Sequence, residues 1–146
     1  LLFAFCINTI HVGTASAITL VTESEVADSA DAPMMTEAVA NSSDIPGPEI
    51  VVINPDTINK TLKNPFTVEV MFKSIEGSSI DTSSFKAFYG SFNLDITDRL
   101  LKESKMTPTG FKLSNINVPN GNHKITLFVK DNMSRQCEKI LRFKIE

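Results

Sequence analysis

The sequence predicts an all-β fold, a two-sheet antiparallel β-sandwich of about seven strands, preceded by a disordered linker. Three observations carry the prediction. From Glu49 onward, apolar residues recur with a period of two in short runs, the pattern of a half-buried strand. Those runs are separated by Gly, Pro, Asn and Asp clusters such as Asn54-Pro55-Asp56 and Pro119-Asn120-Gly121-Asn122. No helical period persists long enough to suggest alternating strands and helices.

Taken in order, Ile50–Ile53 is a β-branched run stopped by Asn54-Pro55-Asp56. Proline lacks the ladder donor, so this reads as a first, edge strand. Phe66, Val68, Val70 and Phe72 alternate with Thr67, Glu69 and Met71 and give the next strand its core face. Gly77-Ser78-Ser79 opens a loop, and Ile80–Ser84 reads as one helical turn capped by Asp81. Phe85–Tyr89 returns to strand, and Gly90 marks a turn before the alternating set Phe92, Leu94 and Ile96.

Thr97–Leu101 reads as a second helical turn, with Thr97 as its cap and Leu100 and Leu101 folded onto the core. Thr107-Pro108-Thr109-Gly110 turns into a period-two strand over Phe111–Ile116. Asn120-Gly121 tolerates the positive φ of a tight turn and leads into His123–Lys130, where His123, Ile125, Leu127 and Val129 share one face. After Asp131–Ser134, the last strand Cys137–Ile145 places Cys137, Leu141, Phe143 and Ile145 on one face, with Lys139 the exception near an end.

The first 48 residues have a different texture. Leu1–Ala17 is apolar and closes on Ala15-Ser16-Ala17, the small-residue pattern that suits signal peptidase. Asn8, Thr9, His11 and Gly13 interrupt it, and it falls short of the roughly 20 apolar residues a spanning helix needs. The expectation is a secretory signal over 1–17, a mature chain without a membrane span, and a periplasmic or extracellular address. Phe5 directly before Cys6 is too bulky for lipoprotein processing. With Cys6 removed, Cys137 stands alone in the mature chain and is expected to be a buried structural thiol.

Residues 18–48 hold six acids, no Lys or Arg and no aromatic residue. Such a segment lacks the apolar surface to offset its chain entropy and reads as a disordered acidic linker ending at Pro46-Gly47-Pro48. From Glu49 onward lie all fourteen basic residues and eleven acids, Glu49 included. That small excess is scattered rather than gathered with aromatics, so nucleic acid is not an expected partner. The domain division is therefore a signal over 1–17, a linker over 18–48 and a sandwich over 49–146.

The order Ile53-Asn54-Pro55, Asn64-Pro65-Phe66, Ile80–Phe85 with Tyr89-Gly90, Asp95-Ile96-Thr97, and Pro119–His123 with a strand ending at Asp131 resembles bacterial immunoglobulin-like modules of exported proteins. The resemblance covers about residues 49 to 146, nearly all of it turns and core positions. It implies an immunoglobulin-like sandwich that serves as a spacer, adhesion or docking module, and it supplies no catalytic residues. A single copy follows the linker here, whereas the family's stalks carry several.

Chemistry is sparse. His123 is the one histidine after Ala17, placed at a strand end without a glycine-framed serine beside it. One His, one Cys and Met34-Met35 in the linker are too sparse for zinc, and copper, which exported sandwich proteins can hold with Met and His, is disfavoured because Met71, Met106 and Met133 are scattered. Asp81, Asp95, Asp98 and Asp131 lie near loops and read as turn and cap residues rather than a calcium loop. There is no Trp and one Tyr, Tyr89, so an aromatic platform for sugars is not expected, and the eight phenylalanines after Ala17 fall largely on the expected core faces. The sequence therefore assigns no catalytic, cofactor-binding or metal-ligating residue and no cofactor. It points to an exported, non-enzymatic module that binds another envelope or extracellular protein. A periplasmic carrier of a metal or small ligand is the alternative.

Overall fold

The computed structural model describes residues 17–30, 46–55 and 61–146. The expected signal lies outside them apart from Ala17, as does the middle of the expected linker, 31–45. In chain order the elements are β1 (Ile18–Thr19), α1 (Glu23–Ala30), β2 (Glu49–Asn54), β3 (Thr61–Leu62), β4 (Phe66–Lys73), β5 (Ile80–Tyr89), β6 (Leu94–Asp95), α2 (Thr97–Glu103), β7 (Gly110–Asn117), β8 (Gly121–Asp131) and β9 (Gln136–Ile145).

Period two decides the architecture. In β8, His123, Ile125, Leu127 and Val129 are buried on one face, and an antiparallel neighbour on each side, β5 and β9, continues that face. The resulting sheet runs β3-β9-β8-β5-β6, and the facing sheet runs β1-β7-β4-β2. Strands 2, 4 and 7 opposite 9, 8, 5 and 6 have immunoglobulin-type connectivity, with β6 as an extra edge strand. Between the sheets Phe72, Phe85 and Phe111 meet with ring centroids 5.3 to 6.2 Å apart, and the Phe85–Phe111 pair is edge-on. Such tilted arrangements put positive ring edges against negative ring faces.

All seven expected strands are present, and β1 and β3 are short additions at the sheet margins. Two of the seven are less regular than their sequence suggests. In β7, Phe111, Leu113 and Ile116 are all buried. The parity change is made at Asn115, which adopts a left-handed φ of 61° where the register against β4 shifts. Asn is among the residues that tolerate that region.

The helical turn expected over Ile80–Ser84 is instead an irregular stretch of β5. The Asp81 carboxylate accepts from the Ser83 amide at 3.0 Å, so Asp81 makes a local turn without starting a helix. The Ser84 hydroxyl accepts from the Lys130 amide at 2.7 Å and donates to the Asp81 carbonyl at 2.6 Å. A side chain thus stands in for a ladder partner where the register with β8 slips.

The second expected helical turn is α2, but Thr97 is not its cap. Thr97 is buried, and its hydroxyl oxygen accepts from the Ala87 amide at 3.0 Å. Leu100 is buried beneath the helix while Leu101 stays 37% exposed. Phe92, expected on the core face of a strand, is 70% exposed in the turn before β6.

The largest departure is at the expected linker, whose first part is folded. β1 runs parallel to β7, with Ile18 opposite Ile116 and Thr19 opposite Asn117. Leu20 and Val21 follow into the core at 2% and 1% exposure. Thr22 then begins α1 with a capping box, in which the Glu25 carboxylate accepts from the Thr22 amide at 2.8 Å. Arg99 of α2 grips the same carboxylate with both terminal nitrogens, at 2.9 and 2.8 Å, and reaches the Leu20 carbonyl at 3.2 Å. That guanidinium holds the Glu25 carboxyl down at about 2. Averaged over 31 positions the segment looks unfoldable, yet Ile18, Leu20, Val21 and Val26 are enough to anchor its start on an existing core.

Truncating one of these anchors tests whether the segment belongs to the folding unit. Leu20→Ala is expected to lower unfolding free energy by about 2 to 4 kcal/mol, the range for a fully buried leucine, as read from urea denaturation of the full chain. A change below about 0.5 kcal/mol, the range for surface substitutions, would show that the segment contributes nothing to the core.

Candidate functional site

The two sheets meet unequally at their margins. β3 covers the end of β9, pairing Thr61 with Lys144 and Leu62 with Ile145, and the Glu146 amide donates to the Leu62 carbonyl at 3.1 Å. Upstream of Lys144, β9 pairs only with β8 among the described residues. Backbone groups alternate sides along a strand. With Glu146 turned outward, the amides and carbonyls of Glu138, Ile140 and Arg142 face outward as well. An uncovered row of this kind is what an added strand recognises.

Beside that row lies a groove of about 200 Å³ between β9 and β2, floored by Ile50, Val52, Leu141 and Phe143 and bounded by Pro55 and Lys139. The two strands are tight at one end, where Gly47 packs so closely that a Cβ there would sit 2.8 Å from the Gln136 carbonyl oxygen. Glycine is required for that approach. At this closed end sits Cys137, half-buried and free of disulfide bonding among the described residues. Burial pushes its thiol up, against the pull of the Ile50 amide and Lys139. A thiol held protonated is a packing group and a poor nucleophile.

The charges around the groove are unevenly partnered. On the β2 sheet, Lys73 pairs with Glu49 and Lys112 with Glu69, each at 3.3 Å. On the β9 sheet, Lys86 pairs with Asp95 at 3.8 Å and Lys144 with Glu146. Lys139, Arg142 and Lys124 make no ion pair among the described residues. Lys124 and Arg142 are direct cross-strand partners. Next to them the outer face carries an apolar row in which Phe88, Thr126 and Ile140 are aligned in register.

Three of the eight phenylalanines after Ala17 lie outside the core. Phe88 and Phe128 are half-buried on the outer face of the β9 sheet, because Ala87, Tyr89, Leu127 and Val129 take the inner positions. Phe92 is the third. Strand parity carries that signal for Phe88 and Phe128: neighbours in a strand cannot both face inward.

His123 lies near the start of β8, as expected, and on the same buried face as Ile125, Leu127 and Val129, 3% exposed. Its Nε2 lies 2.8 Å from the Pro119 carbonyl, which can only accept, so Nε2 carries the proton. Nδ1 then accepts from the Tyr89 hydroxyl at 2.8 Å, and the ring stacks on Phe143 at 5.3 Å. Desolvation holds its pKa below the ordinary value, outweighing the Pro119 carbonyl. Tyr89 is pushed up to about 12 by burial and by the charge of Glu25. Both ring nitrogens are engaged within the core, and the pair has no opening to a substrate.

The four aspartates are separate. Asp81 and Asp95 organise local turns, and Asp98 lies exposed in the first turn of α2. Asp131, 2% exposed, accepts from the amides of Met133 and Arg135 and from the Arg135 Nε at 2.7 Å, fixing the β8–β9 turn. Among the described residues no three of His, Cys, Asp and Glu gather as metal ligands. A second hollow, between Ile18 and Arg99, Lys102 and Glu103, is polar and adjoins an edge already capped by β1.

No family model matches the chain, and no curated protein does. Solved structures similar to it include an endo-β-1,4-mannanase from Thermotoga petrophila (14% identity, TM-score 0.48), of which the match spans 73% of this chain and 21% of that one. CopC from Methylosinus trichosporium OB3b is 12% identical with a TM-score of 0.44, over 67% of this chain and 94% of that one. The fibronectin(III)-like modules of Clostridium thermocellum CbhA are 10% identical with a TM-score of 0.42, over 67% and 46%. The chain thus spans about a fifth of the mannanase. Its sandwich architecture stands on its own strand order.

The buried His123 sets a pH dependence. Its folded pKa is depressed, so below about 6.5 the unfolded chain takes up the proton first and stability falls. Denaturation midpoints measured from pH 7 down to 5 are expected to decline in the wild type, and the slope is expected to flatten in His123→Phe. A wild-type profile flat over that window would contradict a buried neutral imidazole.

Proposed function

We propose that this chain is an exported, non-enzymatic immunoglobulin-like module that docks another envelope or extracellular protein through an open sheet edge. One observation carries the reading: among the described residues no strand pairs with the outward backbone groups of β9 from Glu138 to Arg142, and an apolar groove lies beside them. Soluble sandwiches ordinarily blunt such an edge, because it invites strand addition. The non-enzymatic part is supported by the engagement of His123 inside the core and by the raised pKa of Cys137. Export is supported by the sequence of Leu1–Ala17. The acidic stretch from 31 to 45 would join the folded start of the chain to the rest of the sandwich.

Amine-reactive crosslinking with mass spectrometry on the native exported fraction tests the reading and locates the mature N-terminus together. The expected result is one protein crosslinked through Lys124, Lys139 or Lys144, near the β9 edge, and not through Lys73 or Lys112 on the opposite sheet. Links confined to the opposite sheet, or none at all, would contradict it.

A further inference from the structure

We infer that the edge of β9 accepts an extended, acidic segment of the partner protein as an added antiparallel strand, in a side-chain pattern set by Glu138–Arg142. The inference rests on the docking reading and adds the chemistry of the occupant.

Added strands lie about 4.8 Å from the strand they join and alternate their side chains between its two faces. Beside β9 one face is the outer surface, next to Glu138, Ile140 and Arg142, and the other is the groove, next to Lys139 and Leu141. An incoming strand therefore meets both environments in turn.

Charge selects what it carries. Lys124 and Arg142 stand directly opposite each other on the outer face, and among the described residues no acid pairs with either, while like charges at that position are unfavourable. A carboxylate on the added strand beside Arg142 would bridge both cations. Lys139, at the groove mouth and unpaired among the described residues, would take a second carboxylate. Ile140 ends the row that begins at Phe88 and Thr126, so an apolar residue beside it would extend that row. The groove floor of Ile50, Val52 and Leu141 asks for another. Glu138, exposed at the far end, would face a base. Read along an antiparallel partner strand the order is acid, apolar, apolar, acid, base.

The probe is a capped nonapeptide, Ser-Thr-Asp-Val-Val-Glu-Lys-Thr-Ser, titrated into the full ¹⁵N-labelled chain. A control peptide exchanges its acids for Lys and its Lys for Glu. The expected outcome is amide shift changes at Glu138, Ile140 and Arg142, with the control at least about tenfold weaker, or 1.4 kcal/mol. Ile140→Pro removes an outward N–H without touching the β8 ladder, and Arg142→Glu reverses the selecting charge. Each is expected to weaken the probe about tenfold or more, so the test survives if one variant fails to fold.

Equal binding of both peptides, no shift changes, or changes confined to another edge would overturn the inference. So would concentration-dependent broadening of the β9 amides without peptide, which would make the occupant a second copy of this chain. If the native partner still crosslinks through Lys124, Lys139 or Lys144 while the probe fails, docking stands and the acidic strand falls. Loss of both removes the docking reading as well.

Discussion

Every strand at the margin of an open sandwich has backbone donors and acceptors on one side with no partner in its own sheet, and that constraint organises this molecule. Burying the rows is costly and leaving them bare invites association. The chain answers differently at each margin. β1 lies along β7, β6 along β5, and β3 along the last residues of β9. The middle of β9 is answered by none of these, and the groove beside it has an apolar floor. β2 is the other edge without an outer neighbour: among the described residues it pairs only with β4, and it forms the opposite wall of the same groove.

The cover at β7 shows how such an answer is built. Ile18 and Thr19 supply the ladder, Leu20 and Val21 the apolar anchor, and Glu25 with Arg99 the clasp. A two-residue strand has little stability alone; it holds because the buried pair that follows ties it down. The Glu25–Arg99 pair joins α1 to α2, so a segment far away in sequence closes over the same end of the sandwich as the Tyr89–His123 pair. The polar chemistry of this end serves packing.

The strands were legible wherever alternation ran unbroken. Phe66–Phe72, His123–Lys130 and Cys137–Ile145 fall where their parity places them. Legibility failed where the chain changes phase. Asn115 shifts parity in β7, and Asp81 with Ser84 does so in β5, by backbone and side-chain geometry that periodicity does not register. The folded part of 18–48 was missed because four apolar residues are diluted by the acids around them, although Thr22 and Glu25 do spell a capping box. The face that His123 shares with Ile125, Leu127 and Val129 was legible from parity, but its partners were not, because Tyr89 and the Pro119 carbonyl come from a distant strand and a turn. The candidate edge is a property of register: only the pairing shows that β3 meets β9 at Lys144 and Ile145 and that no other described strand lies along its outer side.

The central claim is that β9 presents unpaired backbone groups to solvent between Glu138 and Arg142. Amide hydrogen exchange of the full chain, resolved by residue, tests it most directly. The account predicts an alternating pattern, with the amides of Glu138, Ile140 and Arg142 exchanging fast and those of Lys139 and Leu141, bonded to β8, exchanging slowly. Uniform protection from Glu138 to Arg142 would mean that the edge is already covered, and would contradict the account.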